Sequence, residues 1–208
     1  MSQKTEPTAP GTRRERRTWD AQSLALVAVF AALVAASALA PAIPVGSFGV
    51  PITVQTLAVA LTALVLGASR AAAAVGLYLL LGFAGLPIFS GGRAGLQILA
   101  GGSAGYIVAF FVGAFVLGAL AQLIVQRASA RRRTLWFFLA ATGVSIVVVH
   151  GLGVLGMMVN LKLSWPAAFA ADLVYYPGDI LKNVIAAVAA AAVHRAFPDV
   201  LVRRVRRS

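Results

Sequence analysis

Six apolar stretches, each close to 20 residues long, constrain this chain of 208 residues more than any other feature. A helix needs about 20 apolar residues to cross the roughly 30 Å of hydrocarbon in a bilayer. The stretches run from Ala21 to Ala40, Val50 to Gly67, Arg70 to Leu86, Gly105 to Gln126, Leu135 to Met158 and Asp179 to Phe197. With 60% hydrophobic and only 12% charged residues, the chain has too little polar material to coat a water-soluble globule. We therefore predict an all-α integral membrane protein with six transmembrane helices.

The segments between these stretches predict the connections. Only two residues separate the second stretch from the third, so these two helices should form a tight hairpin. The longest non-helical candidates are the proline-rich run 41–52 and the glycine-rich run 87–104. Between the fifth and sixth stretches, we expect a short interfacial helix that begins near Trp165 and Pro166.

The positions of the basic residues predict the orientation in the membrane. Lys and Arg accumulate on the cytoplasmic side of membrane proteins. If both termini are cytoplasmic, 15 of the 18 Lys and Arg residues lie inside, only Arg93 and Lys162 lie outside, and Lys182 lies within the sixth helix. We therefore expect a basic cytoplasmic tail at 1–20, a six-helix transmembrane domain at 21–197 and a second basic cytoplasmic tail at 198–208.

Two other readings of these charges are less well supported. The net charge of +12 would suit nucleic acid, but the cytoplasmic clustering accounts for it and we expect no nucleic-acid partner. The arginines at 13–17, followed by an apolar run that ends in Ala38-Leu39-Ala40, are also compatible with a cleaved signal peptide. Pro41 directly after that site would hinder cleavage, and the run is longer than a typical signal sequence.

Several motifs of enzymes and nucleotide-binding proteins are absent or lie in the wrong context. The run 151–156 spells G-x-G-x-x-G, but it lies inside an apolar span and predicts helix packing. A loop of the G-x-x-x-x-G-K-S/T type does not occur, so energy for transport would come from a partner or a gradient. Ser145 and His150 lack the sequence context of a serine hydrolase. Because the chain has no Cys and only His150 and His194, we expect no metal or other cofactor.

The first span has small residues at four-residue spacing, at Ala28, Ala32, Ala36 and Ala40. Such a stripe makes a smooth helix face that another membrane helix can approach closely. In a chain this rich in alanine, the stripe is equally compatible with composition alone.

The segment 177–182, Pro-Gly-Asp-Ile-Leu-Lys, is the most informative polar feature. Asp179 stands at the expected start of the sixth helix, where its charge meets the positive end of the helix dipole. Lys182 follows at i+3, about 5 Å further along the helix on the same face. Ionisable residues inside spans usually face a cavity or a substrate. The alternative is an N-cap aspartate with a lysine that reaches to the outer interface.

Other polar residues differ in expected depth. Gln55 lies just inside the outer end of the second span, so Asp179, Lys182 and Gln55 are predicted to line one outward-facing pocket. Asp172 and Lys162 are expected near the aqueous edge, where they require no special explanation.

Four ordered motifs lie between about residues 24 and 196. They are Val50-Pro-Ile-Thr-Val-Gln55-Thr-Leu, the hairpin to Gly82-Phe-Ala-Gly-Leu-Pro87-Ile-Phe, the glycine-rich loop to Gly105-Tyr106-Ile-Val-Ala-Phe110, and Pro177-Gly-Asp-Ile-Leu-Lys182. Together these motifs resemble the BioY family, the biotin-binding S components of energy-coupling-factor (ECF) vitamin transporters of prokaryotes. Arg93 and Gln97 give the glycine-rich loop more polarity than we expect of the family.

The resemblance implies a bacterial plasma-membrane protein with an ECF S-component-like bundle that binds biotin under its outer loops. It also implies that Ala28, Ala32 and Ala36 dock a transmembrane coupling subunit, which carries two ATPase subunits. Biotin offers ureido N–H donors, a ureido carbonyl, a carboxylate and an apolar sulfur ring. The predicted site consists of Asp179, Lys182 and Gln55 as polar groups, Tyr106, Tyr175 and Phe89 as an apolar wall, and Arg93 in the loop above.

Two other functional classes remain open from the residues. A stand-alone secondary transporter of biotin or another small vitamin-like solute would need its own coupling residue, and Asp179 is the acid available within a span. A membrane enzyme would need a nucleophile or metal set that the sequence does not provide, so we predict that the protein is not an enzyme.

The orientation can be tested with single cysteines, because the chain has none of its own. A cysteine in place of Ser129 should be protected from an impermeant thiol reagent in intact cells and should react once the cells are opened. A cysteine in place of Gly92 should react in intact cells. The reverse labelling pattern would contradict the orientation derived from the basic residues.

Overall fold

The computed structural model describes residues 19–45, 50–198 and 201. The two basic tails predicted at 1–20 and 198–208 lie almost entirely outside these residues. The described helices are α1 (Ala21–Leu39), α2 (Gln55–Leu66), α3 (Ala68–Phe83), α4 (Ala104–Arg127), α5 (Arg133–Val144), α6 (Gly151–Leu161), α7 (Trp165–Asp172) and α8 (Tyr176–Ala196).

These helices form the six predicted spans and the predicted interfacial helix. A π-helical segment, Ser145–His150, joins α5 to α6 without a break, so that one rod runs over Arg133–Leu161. Helix α7 begins at Trp165, as the sequence predicts, and a single 3₁₀ turn at Leu173–Tyr175 leads from it into α8. Four helical units, including α1 and α4, are long and apolar enough to cross a membrane, whereas α2 and α3 are shorter apolar helices.

The predicted ends of four spans are wrong by two residues or more. The second span begins at Gln55 instead of Val50, because the proline-containing segment before it is extended and pairs Ile43 with Ile52. The third helix runs over Ala68–Phe83, so it begins two residues and ends three residues earlier than predicted. The fifth span runs over Arg133–Leu161 instead of Leu135–Met158. The sixth begins at Tyr176 instead of Asp179, with Pro177 in its first turn, where a missing N–H is tolerated. Asp179 therefore lies in the first turn and is not the cap.

Helices α2 and α4 form the centre of the bundle. Helix α2 packs against α1, α3, α4 and α8, and most of its residues are buried. Helix α4 packs against α2, α3, α5 and α6. At one end, Gly67 is the only residue between α2 and α3, and its φ of 75° is a value that glycine adopts without strain. The opposite end carries the segments 40–45, 50–54, 84–103 and 162–175.

Close approach between helices α4 and α6 depends on glycine. A Cβ atom at Gly105 would lie 2.1 Å from the Leu152 carbonyl oxygen, and one at Gly156 would lie 2.6 Å from Gly105. A Cβ atom at Gly153 would meet the ring of Tyr106 at 2.2 Å. The G-x-G-x-x-G run therefore serves helix packing, as predicted, and it fixes where Tyr106 stands.

We expect Gly105→Ala to destabilise the protein by about 1 to 3 kcal/mol, because its methyl group would overlap the α6 backbone. Gly151→Ala is the matched control, since no atom lies within 4 Å of its added Cβ and the gain in helix propensity is the same. Thermal unfolding in detergent should give a lower midpoint for the first variant only. Equal midpoints for the two variants would contradict the close α4–α6 contact.

Candidate functional site

A single pocket at the end of the bundle opposite Gly67 collects the predicted site residues. It has a volume of ≈ 620 Å³, including the space at its open mouth, and lies between the first turns of α2, α4 and α8 and the loop 84–103. All seven predicted substrate-binding residues line it: Gln55, Phe89, Arg93, Tyr106, Tyr175, Asp179 and Lys182. Residues more than 120 positions apart in the chain therefore meet at one site.

Asp179 and Lys182 form an ion pair inside this pocket. Lys182 Nζ lies 2.8 Å from Asp179 Oδ1 and donates a second hydrogen bond of 3.1 Å to Thr56 Oγ1. The Thr56 hydroxyl in turn donates to Asp179 Oδ1 at 2.9 Å. The side chains of Lys182 and Asp179 are only 16% and 7% exposed. The ammonium group of Lys182 thus lies inside the pocket, and it does not extend to the aqueous interface.

Two further polar pairs connect the mouth of the pocket to its wall. Gln55 is buried, and its amide Nε2 donates to the hydroxyl of Tyr78 at 2.8 Å, which ties the start of α2 to α3. The hydroxyl of Tyr175 donates to the carbonyl of Val50 at 2.6 Å and so anchors the segment that precedes α2. The sequence did not single out Tyr78, because a tyrosine in a helix centre carries no signal of its own.

Aromatic rings form the apolar wall. Phe89 is 1% exposed and lies edge-on to Tyr78, with ring centroids 5.5 Å apart. Its ring passes so close to Gly82 that a Cβ atom there would lie 2.4 Å from it. Tyr106 and Tyr175 meet edge to face at 6.0 Å on another part of the wall. A flat apolar ring system can therefore be enclosed from more than one side.

Arg93 stands at the exposed mouth of the pocket. The loop that carries it closes on itself, since the Phe89 N–H donates to the Arg93 carbonyl at 3.0 Å. The guanidinium Nε donates to the Ser90 carbonyl at 2.9 Å. The remaining guanidinium N–H groups give the rim a positive charge that suits an anionic end of a ligand.

Two serines whose hydroxyl oxygens are buried also line the pocket. The hydroxyl oxygens of Ser90 and Ser103 have no hydrogen-bond partner within the described part of the chain. Buried hydroxyl groups are normally satisfied. Their presence in the pocket wall is consistent with a polar ligand that hydrogen-bonds to them.

The expected position of Asp172 is wrong. Asp172 is 0% exposed and lies behind the pocket, where its Oδ1 accepts a hydrogen bond of 2.6 Å from the Tyr106 hydroxyl. The same oxygen lies 2.8 Å from Nδ1 of His150, which is also buried. Helix α7 packs against α6, and Asp172, the last residue of α7, is buried in the bundle. Its position in the sequence alone therefore led to a wrong prediction of its depth.

The site contains no arrangement for a metal ion among residues 19–45, 50–198 and 201, where no group of three His, Asp or Glu side chains is suitably placed. The groups present are hydrogen-bond donors and acceptors, one ion pair and aromatic surfaces. Such a set can bind and orient a small polar-apolar ligand.

The six-helix bundle has the architecture of a solved membrane S component. It is similar to the crystal structure of the S-component for biotin from an ECF-type ABC transporter, with a TM-score of 0.78 and 23% identity. The match covers 84% of this chain and 91% of that one. The fold class is therefore that of an ECF S component.

Sequence comparisons give the family. The BioY family model matches residues 11–199. The chain is 42% identical to the biotin transporter BioY of Rhizobium etli, over 85% of this chain and 95% of that protein. It is 37% identical to the biotin transporter BioY of Rhodobacter capsulatus, over 88% and 98% of the two chains. This chain belongs to the BioY family.

Proposed function

We propose that this chain is the biotin-binding subunit of a biotin uptake transporter in the bacterial cell membrane. It captures biotin from outside and delivers it inward together with an ATP-driven coupling module. The observation that carries the proposal is the Asp179–Lys182–Thr56 cluster inside an aromatic-walled pocket of a BioY-family chain. Its role is that of a multi-pass transport protein and not of an enzyme.

The groups in the pocket match the functional groups of biotin. A carboxylate accepts hydrogen bonds from ureido N–H groups, and an ammonium donates to a carbonyl or carboxylate oxygen. Asp179 and Lys182 supply this pair, while the rings of Phe89, Tyr106 and Tyr175 suit the apolar sulfur ring.

The outer face of α1 is suited to a transmembrane partner. Ala28, Ala32 and Ala36 are all exposed, whereas the opposite face of α1, with Val34 and Ala38, is buried against the bundle. Close contact along a stripe of small residues is a common mode of helix association in lipid. The sequence has no phosphate-binding loop, so the coupling subunit and its ATPase subunits would provide the energy.

Removal of either member of the ion pair should weaken biotin binding strongly. In Asp179→Ala the buried Lys182 ammonium loses its carboxylate partner, and in Lys182→Ala the Asp179 carboxylate loses its ammonium partner, which costs about 2 to 5 kcal/mol of binding free energy. This corresponds to about thirtyfold or more in affinity. Calorimetric titration of biotin into the purified variants measures the change.

Asp20→Ala is the matched control for a simple capping role. Asp20 caps α1 through a 2.9 Å hydrogen bond from the Ser23 N–H, so this variant should lose about 1 kcal/mol of stability and no affinity. If Asp179→Ala and Lys182→Ala bind biotin within about threefold of the unaltered protein, the site assignment is wrong.

Replacement of Ala32 with tryptophan should separate α1 from the coupling subunit and abolish uptake, while biotin binding stays unchanged. Leu155→Trp is the control, since Leu155 is 50% exposed on α6, which packs against α4 and α7. Co-purification with the coupling module and uptake of labelled biotin are the measurements. Normal complex formation and uptake in Ala32→Trp would exclude this docking face.

Uptake by the unaltered chain in cells without any coupling module would instead favour a stand-alone secondary transporter.

A further inference from the structure

A series of buried polar side chains connects two residues of the pocket wall through the interior of the bundle. It begins at Tyr106, passes through Asp172 and His150, and ends at Asp179. The Tyr106 hydroxyl donates to Asp172 Oδ1 at 2.6 Å, His150 Nδ1 lies 2.8 Å from the same oxygen, and His150 Nε2 lies 3.5 Å from Asp179 Oδ2. His150 and Asp172 are 2% and 0% exposed. The pocket's Asp179 is thus connected to a second carboxylate through one imidazole ring.

An unusual backbone conformation brings His150 to this position. His150 is the last residue of the π-helical segment Ser145–His150, which interrupts an otherwise α-helical rod. Single π-helical turns inside α-helices are rare and frequently occur at functional sites. The ring of His150 also stacks on that of Tyr176, with centroids 4.2 Å apart and planes 20° from parallel. The π-helical backbone and the stacked ring of Tyr176 therefore both constrain the orientation of the His150 ring.

The hydrogen-bond geometry constrains the protons on the ring. An ionised carboxylate only accepts hydrogen bonds, so Nδ1, at 2.8 Å from Asp172 Oδ1, must carry a hydrogen. A neutral imidazole would then have a bare Nε2 only 3.5 Å from the Asp179 carboxylate. With a hydrogen on both nitrogens, Nδ1 donates to Asp172 and the charged ring lies within ion-pair distance of Asp179.

The charges of the cluster also favour a His150 ring that carries a hydrogen on both nitrogens. Asp172 and Asp179 are both buried carboxylates, and of these two Lys182 pairs with Asp179. Buried charges are stable only when they are paired. Arg93 stands at the exposed rim and bonds to a backbone carbonyl, so it does not supply the missing charge inside. An imidazolium at His150 balances the second carboxylate.

We propose that His150 is a positioning residue for substrate binding, which acts as an imidazolium that bridges Asp172 and Asp179 and fixes the orientation of the Asp179 carboxylate. Thr56 and Lys182 already donate to Asp179 Oδ1, so the remaining acceptor capacity is on Oδ2, next to His150. His150 thereby presents one defined Oδ2 lone pair to a ureido N–H donor. This inference rests on the proposed function, because it requires Asp179 to contact biotin.

The protonation of His150 can be read directly, because the chain has only two histidines. His194 lies elsewhere in the bundle, 2.8 Å from the Leu64 carbonyl, and can be replaced by glutamine. In His194→Gln, the ¹⁵N NMR signals of imidazole come from His150 alone. At neutral pH we expect both ring nitrogens to show the chemical shifts of protonated nitrogen. One protonated and one bare nitrogen would overturn the proposal.

A double-mutant cycle tests whether His150 acts through Asp179. His150→Gln should weaken biotin binding about tenfold or more in the unaltered background, and by less than about threefold in the Asp179→Asn background, because contacting residues of one network do not act additively. Equal effects in both backgrounds would indicate a merely structural role and overturn the proposal, as would no effect in either. His194→Gln is the matched control and should retain its affinity for biotin.

Failure of this inference is distinguishable from failure of the proposed function. If the unaltered protein does not bind biotin, the proposed function is wrong and the inference falls with it. If it binds biotin and Asp179→Asn weakens the binding, but His150→Gln binds normally, only the role of His150 is wrong. The NMR measurement leaves His150 in place, so it remains informative even if His150→Gln does not fold.

Discussion

The burial of Asp179 is the constraint on which the pocket-bearing half of the structure depends. A carboxylate inside an apolar bundle is stable only if charges and hydrogen-bond donors surround it. Lys182 comes from the same helix, Thr56 from α2, and His150 from the end of the π-helical segment. These partners require α2, α8 and the α5–α6 rod to converge at one depth. The same convergence forms the polar part of the pocket, so the residues that stabilise the charge are also those proposed to bind the ligand.

Glycine positions decide how closely the surrounding elements approach this charge. Gly153 faces the ring of Tyr106, and Gly82 faces the ring of Phe89, in both cases where a Cβ atom would overlap the ring. The aromatic wall can therefore lie directly on the helices that support it. The alanine stripe of α1 uses small size in a different way, since it faces outward and is available to a partner. The proposed ligand site and the proposed docking face thus occupy separate surfaces of one bundle.

Hydropathy was sufficient to predict the number and order of the spans, because in lipid every apolar helix must satisfy its own backbone. It failed at helix ends. The start of α2 depends on the extended pairing of Ile43 with Ile52, and α8 begins at Tyr176, ahead of the aspartate that was expected to start it. Both cases involve proline near a helix start, where hydropathy does not distinguish extended from helical backbone.

The sequence by itself predicted the fold class and seven of the residues that line the pocket, from hydropathy, from the i, i+3 relation of Asp179 and Lys182 and from the resemblance to the BioY family. Only the tertiary structure decided the surroundings of that pair. Asp172 was expected at the aqueous edge and is fully buried, and His150, which suggested no role, lies between two carboxylates. The reason is physical: these contacts join residues on separate helices. Chain position and hydropathy report how apolar a segment is, whereas helix packing selects which polar groups meet.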